Sequence, residues 1–277
     1  MARPLRIEFE GAIYHVSARG TARQAIFLDD QDCEEFLKRL RRNVADYGIR
    51  LYLFCLMSSH EHLFVETPEA NLSAGMQYLN GSYTSYFNRR HRRVGHLFQG
   101  RFKGHLIEEQ DYFLEVSRYL HLNPVRARLV AWPEDWRWSS CAGYFRATHR
   151  LPWVTYGRVL GEFGQATVAA RRAYARFVRA GVAEPPRSPF AAAVSGLVLG
   201  SQRFVEHVKG LVGQRAPDAA LPQLAPFRCR PTLERIATTV AAHFGRDVAT
   251  WTPGSRSDDA HTGGGGLSGA AVLWVPR

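Results

Sequence analysis

The chain has 277 residues, 45% of them hydrophobic, 12% aromatic and 22% charged, which is the composition of a globular protein able to bury a core and excludes a disordered or fibrous chain. No apolar run approaches the roughly 18 residues of a membrane-spanning helix; the strongest, Leu51 to Met57, is strand-sized, and the N-terminal stretch, broken by Glu8 and Glu10, is not expected to act as a secretory signal. Lys and Arg number 36 against 25 Asp and Glu, a net charge of +11, and the four scattered cysteines (Cys33, Cys55, Cys141, Cys229) include no CxxC pair, which excludes a disulfide scaffold or a cysteine-rich zinc module and predicts a reduced, cytoplasmic setting.

Ala12 to Arg19 loosely alternates apolar and polar residues and is closed by Gly20, which predicts a strand. Asp29 to Asp32 offers capping carboxylates to a helix whose apolar positions Phe36, Leu37, Leu40 and Val44 repeat at helical spacing until Gly48. Two strands follow, Ile49 to Met57 and His60 to Thr67, joined by the polar turn Ser58-Ser59. Asn71 or Ser73 is expected to cap a second helix reaching about Arg93, with Met76, Leu79, Tyr83 and Phe87 on one face. Gly95 to Lys103 reads as a Gly-punctuated loop, His105 to Glu108 as a short strand, and Gln110 to Leu122 as a helix stopped by Pro124. The order β-α-β-β-α-β predicts an α+β fold, a ferredoxin-like antiparallel sheet with helices on one face, followed by a small helical domain.

Beyond Trp132 the composition shifts. Trp132, Trp136 and Trp138 with Ser139-Ser140 predict an irregular, aromatic-packed segment. A helix is expected near Gln165 to Ala180, a linker over Glu184 to Pro189, and short helices from Ala191 to Phe244, the last starting at Thr232. Their Gly-bearing turns and basic balance are compatible with helix-turn-helix DNA binding. The expected division is a catalytic domain over 1–135, an extension and linker over 136–190, a helical domain over 191–260 and a flexible tail over 261–277.

Both halves of the chain are basic: residues 1–150 hold 21 basic and 17 acidic residues. Between Ala70 and Ile107 there is no Asp or Glu, while Arg89, Arg90, Arg92, Arg93, Arg101 and Lys103 all fall there. Such a stretch suits a polyanion, or is simply a solvated basic face. His60-Glu61-His62 on a strand would put two imidazoles on one face, half of a divalent-metal site or a pair of surface histidines. Tyr119 and Asn123, four apart at the end of a helix, reach one surface. Tyr119 is either a nucleophile or one aromatic of an amphipathic helix, and Asn123 a ligand or a cap. Together these pieces are the equipment for metal-assisted transesterification of DNA.

The segments MSSHEHLFVET, GHLFQGRFKGHLIEE and RYLHLNPVRARLV, the last followed by WPEDWRWSS, resemble the REP-associated tyrosine transposases, in the insertion-sequence branch of the HUH single-strand DNA nucleases. The resemblance spans residues 3–145 and extends more loosely to 260. It implies a ferredoxin-like catalytic domain, Mg²⁺ or Mn²⁺ as cofactor, and single-stranded or hairpin DNA from palindromic repeats as partner. It also implies a C-terminal domain like the helix-turn-helix of replication initiators. By position, His60 and His62 match the metal-binding histidines, Tyr119 the nucleophile that forms a 5′-phosphotyrosine, and Asn123 the amide that completes the metal site. Independently of the resemblance, Arg101, Lys103 and the Arg89–Arg93 cluster are candidates to hold the DNA backbone, and Phe98 and Phe102 to stack on bases.

The expected activity is that of a transposase or single-strand endonuclease and strand transferase in a cytoplasmic, nucleoid-associated protein, a monomer or a homodimer, with no membrane partner. The alternatives are a non-catalytic hairpin-DNA-binding regulator on the same fold and a metal-dependent RNA hydrolase using water. Two departures stand out. The family usually has a hydrophobic residue where this chain has Glu61, and the ending HTGGGGLSGAAVLWVPR replaces an expected Arg- and Ala-rich helix.

Overall fold

A computed structural model describes residues 7–165, 167–213 and 233–244. The chain divides into two compact units, after Arg228. The first opens with strand β1 (Ala12–Arg19), helix α1 (Asp30–Tyr47), strands β2 (Arg50–Met57) and β3 (His60–Thr67), helix α2 (Leu72–Arg90), strand β4 (Lys103–Ile107) and helix α3 (Glu109–His121). The sheet runs β2-β3-β1-β4, all antiparallel, the connectivity of the expected β-α-β-β-α-β fold. A strand absent from the sequence reading, β5 (Val198–Leu199), adds in parallel to β4.

Each element has a local cause. Asp29 caps α1 by accepting from the Asp32 amide at 3.1 Å, and Gly48 ends it with a left-handed φ of 62°. Asn71 precedes α2 but does not cap it: its side-chain amide donates to the Tyr47 carbonyl at 2.9 Å, and the Glu8 carboxylate takes the Ser73 amide at 3.0 Å instead. The helix stops at Arg90, short of the expected Arg93, where Arg92 turns left-handed at φ 50°. The two helices pack closely at Gly75, where a Cβ would lie 2.7 Å from Ile49 Cδ1 and whose carbonyl accepts from Asn43 at 2.5 Å.

The two helices of the β-α-β-β-α-β unit share one face of the sheet, as expected, and α3 takes the other. On one face Leu63 and Val65 of β3 meet a core with Phe36, Leu40, Met76, Leu79, Tyr83 and Phe87 of α1 and α2. On the other, α3 seats Phe113 against Phe64 and Tyr52, with ring centroids 4.9 and 5.4 Å apart. Pro124 does not simply stop α3. The break falls at Leu122, and Pro124 sits in the first turn of a new short helix, α4 (Asn123–Arg126), where no amide hydrogen is needed.

The segment after α4 is a strap along the outer edge of β2. Leu56 N donates to Trp138 O (2.9 Å), Ser140 N to Phe54 O (3.1 Å) and Thr155 N to Leu51 O (2.7 Å), while Trp136 Nε1 donates to Leu56 O at 2.9 Å. The strap carries α5 (Cys141–Phe145) and α6 (Tyr156–Gly161), then α7 (Val168–Ala183), capped by Thr167. A single 3-10 turn, Pro189–Ala192, leads to β5 and then to α8 (Gln202–Gly213). In the second unit α9 (Leu233–Phe244) begins one residue after the expected start. The expected tail over 261–277 lies outside the described residues. Cys33, Cys55 and Cys141 are buried free thiols, and no helix among the described residues is long and apolar enough to cross a membrane.

Candidate functional site

Strand alternation turns His60, His62 and Phe64 to the α3 side of the sheet and Glu61 to the other. The His60 and His62 rings lie edge to face, centroids 4.8 Å apart. Pairing of β1 with β3 and β4 adds histidines that sequence order keeps far apart. His15 stands directly opposite His105 in the register, and its Nε2 lies 2.9 Å from His62 Nδ1. The result is a row of four imidazoles, His60, His62, His15 and His105, crossing three strands.

Burial lowers the pKa of all four, so each ring is neutral at pH 7. His60 falls to about 4 through burial and then the Arg19 charge. His62 falls to about 3 through burial, then His60 and Arg19. His15 lies well below the ordinary value through burial and its histidine neighbours, and His105 is lowered by burial and then Lys103. Neutral rings keep a lone pair for a cation. His60 engages Ser59 Oγ through Nδ1 at 3.2 Å and His62 engages His15 through Nδ1, so Nε2 is the nitrogen each has to offer.

Tyr119 reaches the same side of the sheet because α3 packs on Phe64, the next β3 residue on the histidine face. Phe190 links the two sides: its ring stacks on His15 at 4.4 Å, lies 4.7 Å from His105 and meets Tyr119 edge-on at 5.6 Å. Arg126 lies over the Tyr119 ring at 4.6 Å, held by donating to the Pro186 carbonyl at 2.9 Å. Asn123 follows Tyr119 across the break at Leu122, and its Nδ2 is buried with no hydrogen-bond partner among the described residues. Amide nitrogen and oxygen are interchangeable in placement, so the unpartnered end of Asn123 fits a ligand oxygen. Two neutral imidazoles and an amide oxygen are a donor set for a divalent cation, and the imidazoles favour Mn²⁺ over Mg²⁺, which prefers oxygen. Among the described residues no group of three or more His, Cys, Asp or Glu is arranged to hold a metal ion.

The basic candidates separate by environment. Arg89, Arg92, Arg101 and Lys103 are exposed. Arg90 is committed to Asp29 (2.6 Å) and to the fully buried Asp32 (2.5 Å), and it holds the Asp29 carboxyl down to about 2. Arg93 donates to Gln24 at 3.0 Å. Phe98 and Phe102 are both buried, 8% exposed, among the core side chains, so as placed neither offers a face to a base. The sequence reading did not single out His15, His105, Arg19, Arg126 or Phe190. A lone residue on a strand, in a short helix or in a turn gives no signal until strand register and packing supply its neighbours.

Residues 8–123 match the family described as "Transposase IS200 like". A protein of Haemophilus influenzae, named as a REP-associated tyrosine transposase, is 25% identical over 142 residues, which is 47% of this chain and 80% of that protein. A solved REP-associated tyrosine transposase bound to a REP hairpin aligns with 57% of this chain and 93% of its own, at 18% identity and a TM-score of 0.45.

Proposed function

Since residues 8–123 match the IS200-like transposase family, we propose that the chain is a metal-assisted DNA transesterase that acts on single-stranded or hairpin DNA through Tyr119. The observation that supports it best is the shared face of the sheet: two neutral imidazoles with Nε2 uncommitted, and α3 bringing Tyr119 to the same side. His60, His62 and Asn123 would hold the cation, Mg²⁺ or Mn²⁺, which when bound supplies Lewis-acid polarisation of the scissile phosphate.

The chain's own residues account for the remainder. Arg19 and Lys103 flank the histidine row and Arg126 lies over Tyr119, so cations border the space where a phosphodiester would lie. A strand placed between the row and Tyr119 would have to displace the Phe190 ring, which touches both. Tyr119 Oη gives up its proton to water and bonds to phosphorus. The bond from phosphorus to the 3′ oxygen breaks, that oxygen leaves as a 3′-hydroxyl after taking up a proton, and the 5′-phosphate stays on Tyr119. The new ester keeps the free energy of the old one, so a second 3′-hydroxyl can attack it, restore the Tyr119 phenol and join new strands without ATP.

The test is a denaturing gel of the full chain with labelled repeat hairpins, in Mn²⁺ or EDTA, beside Tyr119→Phe. A covalent protein–DNA band is expected that needs Mn²⁺ and is lost in Tyr119→Phe. Hairpin binding with no adduct on any repeat substrate would make the chain a hairpin-binding regulator. Cleavage that persists in Tyr119→Phe would make water the nucleophile.

A further inference from the structure

The best-defined polar contact on the histidine face joins two histidines. His15 Nε2 lies 2.9 Å from His62 Nδ1, with the rings inclined by 22° and their centroids 5.2 Å apart. His15 is buried, 3% exposed, and its ring is stacked nearly parallel to His105 at 5.5 Å and at a 26° tilt on Phe190 at 4.4 Å. Packed on both counts, the ring cannot easily turn its Nε2 away from His62.

A separation of 2.9 Å accommodates one hydrogen, so one ring donates and the other accepts. The direction decides what His62 can do. If His15 donates, a neutral His62 carries its own hydrogen on Nε2 and has no lone pair there for a cation. If His62 donates from Nδ1, its Nε2 lone pair is free. His60 shows the simpler form of the same arrangement, with its Nδ1 3.2 Å from the Ser59 hydroxyl, which can accept. Ligand histidines are commonly held this way, through the ring nitrogen that does not bind the metal.

Resting on the reading of His60 and His62 as cation ligands, we propose that His15 is a positioning residue whose Nε2 accepts the Nδ1 hydrogen of His62 and holds His62 in the tautomer that presents Nε2. His15 then carries its own hydrogen on Nδ1, a buried atom with no hydrogen-bond partner among the described residues. Among the described residues neither a donor nor an acceptor faces that nitrogen, so nothing on the far side of the His15 ring opposes the tautomer that His62 requires. His15 lies one strand away from the ligand pair and 45 residues before it in the chain, so only the β1–β3 register creates this role.

Two measurements on the full chain test it. In metal-free protein, long-range ¹H–¹⁵N correlation spectra report the tautomer of each imidazole, with the His62 signals assigned by their loss in His62→Gln. His62 is expected to carry its hydrogen on Nδ1, and so is His15. Mn²⁺ titrations followed by electron paramagnetic resonance then compare His15→Leu, which removes the acceptor, with His15→Gln, whose amide oxygen can still accept. His15→Leu is expected to weaken Mn²⁺ binding about tenfold, and His15→Gln to recover most of that loss. A wild-type His62 with its hydrogen on Nε2 overturns the inference without any variant having to fold. So does a folded His15→Leu that binds Mn²⁺ as tightly as wild type. Failure of the metal reading has a different signature: wild type and a His60→Ala, His62→Ala double variant would bind Mn²⁺ equally poorly, leaving His15 no cation ligand to position.

Discussion

Glu61 is where the strand makes opposite demands on neighbouring residues. The alternation that turns His60 and His62 to one face turns its side chain to the other, where it is fully buried and neither carboxyl oxygen has a hydrogen-bond partner among the described residues. Burial pushes its pKa up to about 8, and the nearby backbone amides of Glu61 and Ala18 pull it back only in part. The folded protein therefore keeps this proton at pH 7, while an unfolded chain releases it near 4.5. Below about pH 4.5 the group is protonated in both states and has no effect on stability. As pH rises from there through about 8 the unfolded state gains, and the folded state loses on the order of 3–5 kcal/mol relative to it. Glu61→Leu removes the titrating group and suits the apolar surroundings. It is expected to melt several degrees above wild type near pH 8.5 and to lose most of that advantage near pH 5. Thermal denaturation of both proteins at the two pH values checks this, and an advantage independent of pH would show that the carboxylate finds water.

The element that matters most to the proposed chemistry is α3, because its seat decides where Tyr119 stands. Phe113 fixes it to the sheet, and a buried polar cluster fixes its far end. His121 Nδ1 lies 2.8 Å from the Tyr174 hydroxyl on α7, and its Nε2 lies 3.3 Å from Ser140 Oγ in the strap along β2. Burial lowers the His121 pKa to about 3, so the ring is neutral and needs both partners. Tyr174→Phe leaves His121 Nδ1 buried and unpaired and is expected to cost about 1–3 kcal/mol, read as a lower urea midpoint with an unchanged slope. The bounds of β1, β3 and α1 were legible from alternation, apolar spacing, Asp29 and Gly48, and those of α3 to within a residue, although Pro124, read as its stop, instead opens α4. The pair His60 and His62 was legible because neighbours two apart on a strand share a face whatever the strand pairs with. His15 and His105 were not, since they join the row only through long-range register. Nor was β5, whose two residues are too few to show a period, nor the burial of Phe98 and Phe102, which looked like loop aromatics beside arginines.

At the scale of the first unit, both sheet edges are covered by chain that lies beyond the β-α-β-β-α-β core. The strap that includes Trp138 and Ser140 runs along β2, and β5 pairs with Leu106 and Ile107 at the end of β4, which leaves the histidine face and the basic surfaces as the ground for the proposed polyanion. The net charge of +11 predicts salt-dependent binding, but the basic residues are not equivalent. Lys103 is exposed and shares the histidine face of β4, and Arg92 is exposed just past α2. Arg90 is tied to Asp29 and the buried Asp32, as is His91 to Asp32 at 3.0 Å. Lys103→Gln and Arg92→Gln should each weaken hairpin binding at low salt and flatten the plot of log affinity against log salt by about 0.7–0.9 for each phosphate left unneutralised, with melting temperature unchanged. Arg90→Gln should do the reverse, lowering the melting temperature by leaving Asp32 short of a partner while the salt slope stays as in wild type. Fluorescence anisotropy of a labelled repeat hairpin across a salt series, beside thermal melts, separates the two classes. A flattened slope in Arg90→Gln would mean that this guanidinium exchanges Asp29 and Asp32 for phosphate when DNA binds.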